Sequence, residues 1–132
     1  MRVILLTLFI VITLTGCNSY QIIGKFDKSL EAYNWSLRSN EWDKASLFTK
    51  DSIQQDFKNR ASAAKDVRIT DYRIVSKTYD AAKREAIAEV EIEYYNAFSL
   101  VTKTLHDTQK WAYLDEKGKK EWRLTSLLPE FR

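Results

Sequence analysis

Apolar residues recur at helical spacing in the first half of the chain. Four of them stand at i, i+4, i+7 and i+11, which is one face of an α-helix: Phe26, Leu30, Tyr33 and Leu37. This spacing predicts a helix over 26–39. Two further segments, which open with the capping-type residues Asn40 and Asp51, predict helices over 40–48 and 51–65.

From Val67 onward the period changes to two, as in half-buried β-strands. In the clearest case, alternating apolar residues face away from Glu89, Glu91 and Glu93. The alternation predicts four strands, over 67–79, 84–95, 101–114 and 119–128. A four-residue loop at 115–118 would join the last two strands and place Trp111 opposite Trp122.

This order of elements predicts an α+β fold, with three N-terminal helices packed on a curved antiparallel sheet of about four strands. The segments 26–33 and 40–49, followed by long strands, resemble the NTF2-like (cystatin-like cone) superfamily. The resemblance spans about 25–131 and implies one NTF2-like domain over 26–132. It also implies a pocket between the concave face of the sheet and the first helices.

The first 16 residues have the layout of a secretory signal peptide. Arg2 supplies a short positive region, and the apolar run from Val3 to Leu14 is too short for a comfortable transmembrane helix. The sequence Leu14-Thr15-Gly16-Cys17 then resembles the lipobox of bacterial lipoproteins. The resemblance implies cleavage before Cys17, lipid on its thiol and a fatty acyl chain, such as palmitate, on the new amino terminus. Residues 17–25 would be the lipidated cysteine and a short tether. The alternative is a free thiol on an uncleaved anchor.

A lipidated Cys17 would hold the protein at a membrane of the cell envelope. In enterobacterial lipoproteins an aspartate after the cysteine retains the protein in the inner membrane, and this chain has Asn18 there. The expected location is therefore the outer membrane, facing the periplasm, in a host with two membranes. In a host with one membrane it is the outer face of that membrane.

The charge pattern does not indicate a nucleic-acid partner. The chain has 21 basic and 18 acidic side chains, for a formal net charge of +3, and the two signs alternate along the sequence. Nucleic-acid binding calls for a clustered basic face. The only histidine, His106, and the only cysteine, Cys17, leave no soft-metal cluster, and neither a metal nor a cofactor is predicted.

Polar residues with the parity of the apolar strand faces are the candidates for a ligand pocket. The predicted pocket comprises Trp42, Tyr94, Asp107, Gln109, Trp111, Trp122 and Ser126. A partly buried Asp107 would have a raised pKa and would be able to act as a general base. The favoured interpretation is instead a β-bulge that turns Asp107 to solvent, and a third is a structural buried hydrogen bond.

Trp35 lies about 180° from the buried stripe of its helix, so it is either covered by another helix or available to a partner. The glutamate face of the second strand indicates a solvated surface or a homodimer interface.

The leading hypothesis is a lipid-anchored, non-catalytic envelope module that binds a small apolar ligand or an envelope protein. The alternatives are an NTF2-like isomerase, dehydratase or hydrolase with Asp107 as base, and a structural spacer with a filled cone.

Overall fold

A computed structural model describes the backbone of residues 2–132 and the side chains of residues 19–132. The helical elements are α1 (Arg2–Arg38), α2 (Trp42–Ser46), a 3-10 turn (Asp51–Ile53) and α3 (Gln54–Ala63). The strands are β1 (Val67–Asp80), β2 (Glu85–Asn96), β3 (Thr102–Glu116) and β4 (Lys119–Leu124). They form one antiparallel sheet in the order β1-β2-β3-β4.

The side chain of Cys17 and those of the proposed signal peptide lie outside the described residues, so cleavage and lipidation stay predictions. Within the described part of the chain, no helix has the length and apolar character needed to span a bilayer.

The core lies between α1 and the inner face of the sheet. The apolar stripe predicted on this helix is buried, and none of its four residues, Phe26, Leu30, Tyr33 and Leu37, is more than 2% exposed. It meets the inner faces of β2, β3 and β4, which bury Ala86, Ala88, Val90, Ile92, Trp111, Trp122 and Leu124. Tilted and edge-on aromatic contacts join the two layers, with ring centroids 5.0 Å apart for Phe26 and Trp122 and 5.6 Å apart for Tyr33 and Trp111.

The predicted fold, three N-terminal helices packed on the sheet of an NTF2-like cone, is wrong. One long helix dominates the helical layer, and its buried stripe already includes Ile22, so residues 19–25 are helical where the sequence predicted a tether. α2 has only five residues. Asn40 does not open it as an N-cap, because Asn40 adopts φ 56° at the end of α1. There its N–H donates to the Leu37 carbonyl and the Glu41 N–H donates to Ser36, a Schellman closure.

Bulges occur in the sheet, but not in β3, where the sequence predicted one. The pairing of β2 with β3 runs without a shift from Glu85 opposite Ala112 to Tyr95 opposite Thr102. The register shifts instead occur in β1, around Thr70 and Val75. The side chains of β3 therefore alternate regularly between the core and the open face of the sheet.

The hairpin between β3 and β4 is tighter than predicted. Lys117 and Gly118 alone form its loop, with φ values of 56° and 76°, as a type I′ turn requires. The strands extend to Glu116 and Lys119, and this register places Trp122 opposite Tyr113. The predicted pairing of Trp111 with Trp122 is therefore wrong.

Candidate functional site

Asp107 and Gln109 enter a buried polar cluster beneath α1. Their side chains are 6% and 1% exposed. The Gln109 amide nitrogen donates to Asn34 Oδ1 at 2.8 Å and to Asp107 Oδ2 at 2.9 Å. Asn34 Nδ2 donates in return to Gln109 Oε1 at 3.1 Å and to the Leu30 carbonyl at 2.9 Å. The unshifted alternation of β3 thus turns Asp107 inward, and the favoured prediction of a solvent-facing Asp107 is wrong.

Burial raises the pKa of Asp107 to about 6, and the hydrogen bond from Gln109 opposes this rise. The charge of Glu89 adds to the rise and His106 reduces it. The neighbouring Tyr33 hydroxyl has a pKa well above its usual value, because it is buried and near Asp107. The cluster is therefore a weakly acidic carboxyl held by amides inside the core.

Access decides what such a carboxyl can do. The principal clefts of the described residues are lined by other side chains, and neither Asp107 nor Gln109 reaches any of them. A general base must come within hydrogen-bond reach of the proton that it removes. The geometry of Asp107 therefore matches a structural hydrogen-bond partner.

The other predicted pocket residues lie in separate places. The Tyr94 hydroxyl donates to the Arg132 carbonyl at 2.7 Å, and Phe131 packs against both Tyr94 and Trp42. The Ser126 hydroxyl oxygen accepts the Lys110 backbone N–H at 3.0 Å. The C-terminal residues Phe131 and Arg132 thus cover Tyr94 and Trp42, two of the residues predicted to line the pocket.

Trp35 is on the outer side of α1 and is 54% exposed. The Arg38 guanidinium lies 5.2 Å from the centroid of its ring, a cation–π geometry. With Glu31 and Tyr72 it borders a shallow groove. Helices α2 and α3 do not cover it, and its role as an interface residue stays a prediction.

A cleft of about 580 Å³ lies between the early turns of α1, the end of α2 and the β3–β4 hairpin. Four apolar or aromatic side chains line it: Leu47, Phe48, Tyr113 and Trp122. Trp122 is held in place because its indole N–H donates to the Ile22 carbonyl of α1 at 2.8 Å. Of the residues predicted for a pocket, Trp122 is the one that lines this cleft.

The rim of the cleft is basic. Its charged residues are Lys25, Lys28, Lys44, Lys120, Arg123 and a single acid, Glu121. Arg123 is fixed, because its guanidinium donates to the Leu47 carbonyl at 2.6 Å and lies 2.9 Å from Glu121 Oε2. The Lys119 ammonium, bonded to Glu121, and Arg123 lower the pKa of that carboxyl, so it is ionised at neutral pH. The cleft can therefore hold an apolar group next to an anionic one.

Sequence reasoning missed this cleft because its residues come from three distant segments. Lys25 and Lys28 stand three apart on one helix face, and this i, i+3 spacing was the one local signal. Lys44 and Lys120 are separated from them along the chain, and only the packing of α1 against the hairpin brings the four lysines to one rim.

No protein-family model matches the chain, and no curated protein matches it. Two solved structures are similar in fold, both of SEC-C motif containing proteins. The one from Rhodopseudomonas palustris has a TM-score of 0.54 and 8% identity, over 70% of this chain and 69% of that one. The one from Psychrobacter arcticus has a TM-score of 0.55 and 16% identity, and the match covers 69% of this chain and about half (52%) of that one. At these identities the likeness concerns the fold alone, and it does not support the NTF2-like cone predicted from the sequence.

Proposed function

We propose that this protein is a lipid-anchored, non-catalytic binding module of the cell envelope, and that the cleft between α1 and the β3–β4 hairpin is its ligand site. The observation that carries the proposal is the apolar lining of this cleft beside a basic rim. The lipobox-like Leu14-Thr15-Gly16-Cys17 supports the envelope location.

A binding role fits the way the site is built. Apolar surface that leaves water on binding contributes about 25 cal/mol per Å², and Leu47 is 63% exposed at the edge of the cleft. Ligand sites of this kind combine a mostly apolar surface with a few polar groups that orient the ligand. Asp107, the candidate base, is enclosed in the core away from this cleft.

Native mass spectrometry of the full chain, released from a mild detergent, tests the proposal. We expect a mass excess over the lipidated chain that disappears on denaturation. Leu47→Gln, which removes an exposed apolar side chain from the cleft, is expected to reduce the bound fraction. The matched control is Leu100→Gln, since Leu100 is 72% exposed on the β2–β3 loop and away from the cleft.

Either of two results would contradict the proposal. One is a chain with no releasable mass in any preparation. The other is a bound mass that Leu47→Gln and Leu100→Gln reduce equally, because that would place the ligand outside the cleft.

A further inference from the structure

The positive charge of the protein is concentrated at the cleft. The whole chain carries 21 basic and 18 acidic side chains, whereas the cleft is lined by five basic residues and one acidic residue. Lys44 pairs with Glu41 at 3.2 Å, and Arg123 pairs with Glu121. Lys25, Lys28 and Lys120 form no ion pair with the residues that the structure describes. Three exposed ammonium groups are therefore free to meet an anion.

The position of the cleft along α1 adds a second constraint. Cys17 precedes Lys25 by eight residues within the same helix, and a helix rises about 1.5 Å per residue, so the two Cα atoms are separated by about 12 Å along the helix axis. Tyr20 lies between them and is 81% exposed. Tyrosine is enriched where a protein meets the headgroup layer of a membrane.

We propose that the cleft binds an anionic phospholipid of the membrane that carries the protein. Lys25, Lys28 and Lys120 surround the headgroup phosphate, and the first methylenes of an acyl chain lie against Phe48 and Trp122. This inference rests on the proposed function, since it assigns a ligand class to the same cleft.

An amphiphile would use both the basic rim and the apolar lining of the cleft, whereas a simple anion or a neutral apolar molecule would use only one of them. A free phosphate would engage the lysines and leave the apolar lining in water. A neutral apolar molecule would use Leu47 and Phe48 but would gain nothing from the ammonium groups. Each basic side chain near an anionic membrane surface strengthens the attraction of the protein to that surface. Salt screens this electrostatic attraction over a Debye length.

The test uses the full chain in zwitterionic detergent, titrated with short-chain dihexanoyl phosphatidylglycerol or dihexanoyl phosphatidylcholine. The readout is the Trp122 indole N–H resonance, because Trp122 lines the cleft and the buried hydrogen bond from this N–H to the Ile22 carbonyl fixes the ring there. We expect saturable shifts with both lipids, and an affinity about tenfold higher for the anionic one. The triple variant Lys25→Gln/Lys28→Gln/Lys120→Gln is expected to lose this preference.

Lys58→Gln/Lys65→Gln/Lys83→Gln is the matched control, since it removes the same charge from exposed lysines outside the cleft and should keep the preference. Equal affinities for the two lipids would overturn the anionic assignment and leave the proposed apolar site intact. No Trp122 shift with either lipid would overturn both. Two soluble anions complete the test. If glycerol phosphate shifts the Trp122 resonance as strongly as the anionic lipid does, the cleft binds a soluble phosphate; if hexaglutamate does so, it binds an acidic protein segment. Either result would also overturn the proposal.

Discussion

The side-chain amides of Asn34 and Gln109 exchange two hydrogen bonds, of 2.8 and 3.1 Å, across the interface between α1 and β3. Both side chains are at most 1% exposed. Gln109 also donates to Asp107, so this pair connects the helix to the one buried carboxylate of the described residues. Truncation of either amide leaves the other buried without its partner.

We therefore expect Asn34→Ala to lower the free energy of unfolding by about 2 kcal/mol, because the buried Gln109 amide loses hydrogen bonds that water cannot replace. Urea unfolding followed by tryptophan fluorescence measures the change. The control is Asn59→Ala, which removes an exposed amide paired with Gln55 and should stay within about 0.5 kcal/mol of the parent. Equal losses in the two variants would show that the buried exchange adds no stability.

The raised pKa of Asp107 predicts a stability that rises as the pH falls. Its pKa is about 6 in the folded chain and about 3.8 for an ordinary, solvated aspartate, so between these pH values the folded state binds a proton that the unfolded state lacks. Burial of the charged form thus costs stability above pH 6, by about 3 kcal/mol at most, and this cost disappears as the pH falls toward 4. Unfolding free energies at pH 4.5 and 7.5 measure it.

Asp107→Asn keeps an acceptor for Gln109 and removes the titration. The variant should be more stable than the parent at pH 7.5, and the difference between the two should shrink to about a third of that value at pH 4.5. Asp56→Asn, an exposed substitution on α3, should differ from the parent by a small amount at both pH values. A constant difference between Asp107→Asn and the parent across this range would contradict the raised pKa.

The two-residue turn is tested through the positive φ angles of Lys117 and Gly118. Lys117→Asn should raise the free energy of unfolding by about 0.5 kcal/mol, because asparagine adopts positive φ more readily than lysine. The loss of the exposed ion pair between Lys117 and Asp51, at 3.7 Å, should change the free energy of unfolding very little. Gly118→Val should cost about 1–2 kcal/mol at φ 76°. If valine were tolerated without loss, the chain would have the longer, irregular loop that the sequence predicted.

The lipid anchor is tested at Cys17 and Asn18. Cys17→Ala should abolish lipid on the amino terminus, visible as the loss of the acyl masses from the intact protein, and should weaken membrane fractionation. In a two-membrane host, Asn18→Asp should move the lipidated protein to the inner membrane. Ser19→Ala is the neighbouring control. A membrane-bound Cys17→Ala chain without acyl mass would indicate an uncleaved apolar anchor.

Trp35 provides a separate test of the outer face of α1. Because its ring is 54% exposed and contacts Arg38, Trp35→Ser should cost less than about 1 kcal/mol of stability. Photo-crosslinking from position 35 in the envelope should then report whether a partner lies there. A loss of several kcal/mol would instead show that the ring packs against the fold.

The helical and strand repeats in the sequence correctly predicted which faces of α1 and β2 are buried. The helical stripe Phe26, Leu30, Tyr33 and Leu37 is buried, and the inner residues of β2 are at most 6% exposed. Such patterns depend only on the 3.6- and two-residue repeats of helix and strand, so they can be read from neighbours in sequence. The same alternation predicted that Asp107 and Gln109 would share a face with Trp111, and the structure places all three inside.

Helix length, hairpin register and the location of the cleft could not be obtained in this way. Asn40 was interpreted as the start of a helix because its side chain suits an N-cap, yet its backbone N–H closes α1. The choice between these roles depends on where α1 ends against the sheet. The sequence from Asp115 to Gly118 suits a four-residue loop as well as a two-residue one. In the structure Glu116 pairs with Lys119 and Asp115 with Lys120, so the loop has only two residues.

By itself, the amino-acid sequence determined which residues face the core, since burial follows the repeat of each element, and it supplied the lipobox-like signal around Cys17. Tertiary structure alone decided how the elements meet. It enclosed Asp107 in the core beside Gln109, and it assembled Lys25, Lys44 and Lys120 at one cleft. These outcomes depend on contacts between residues far apart in the chain, and no local repeat encodes them.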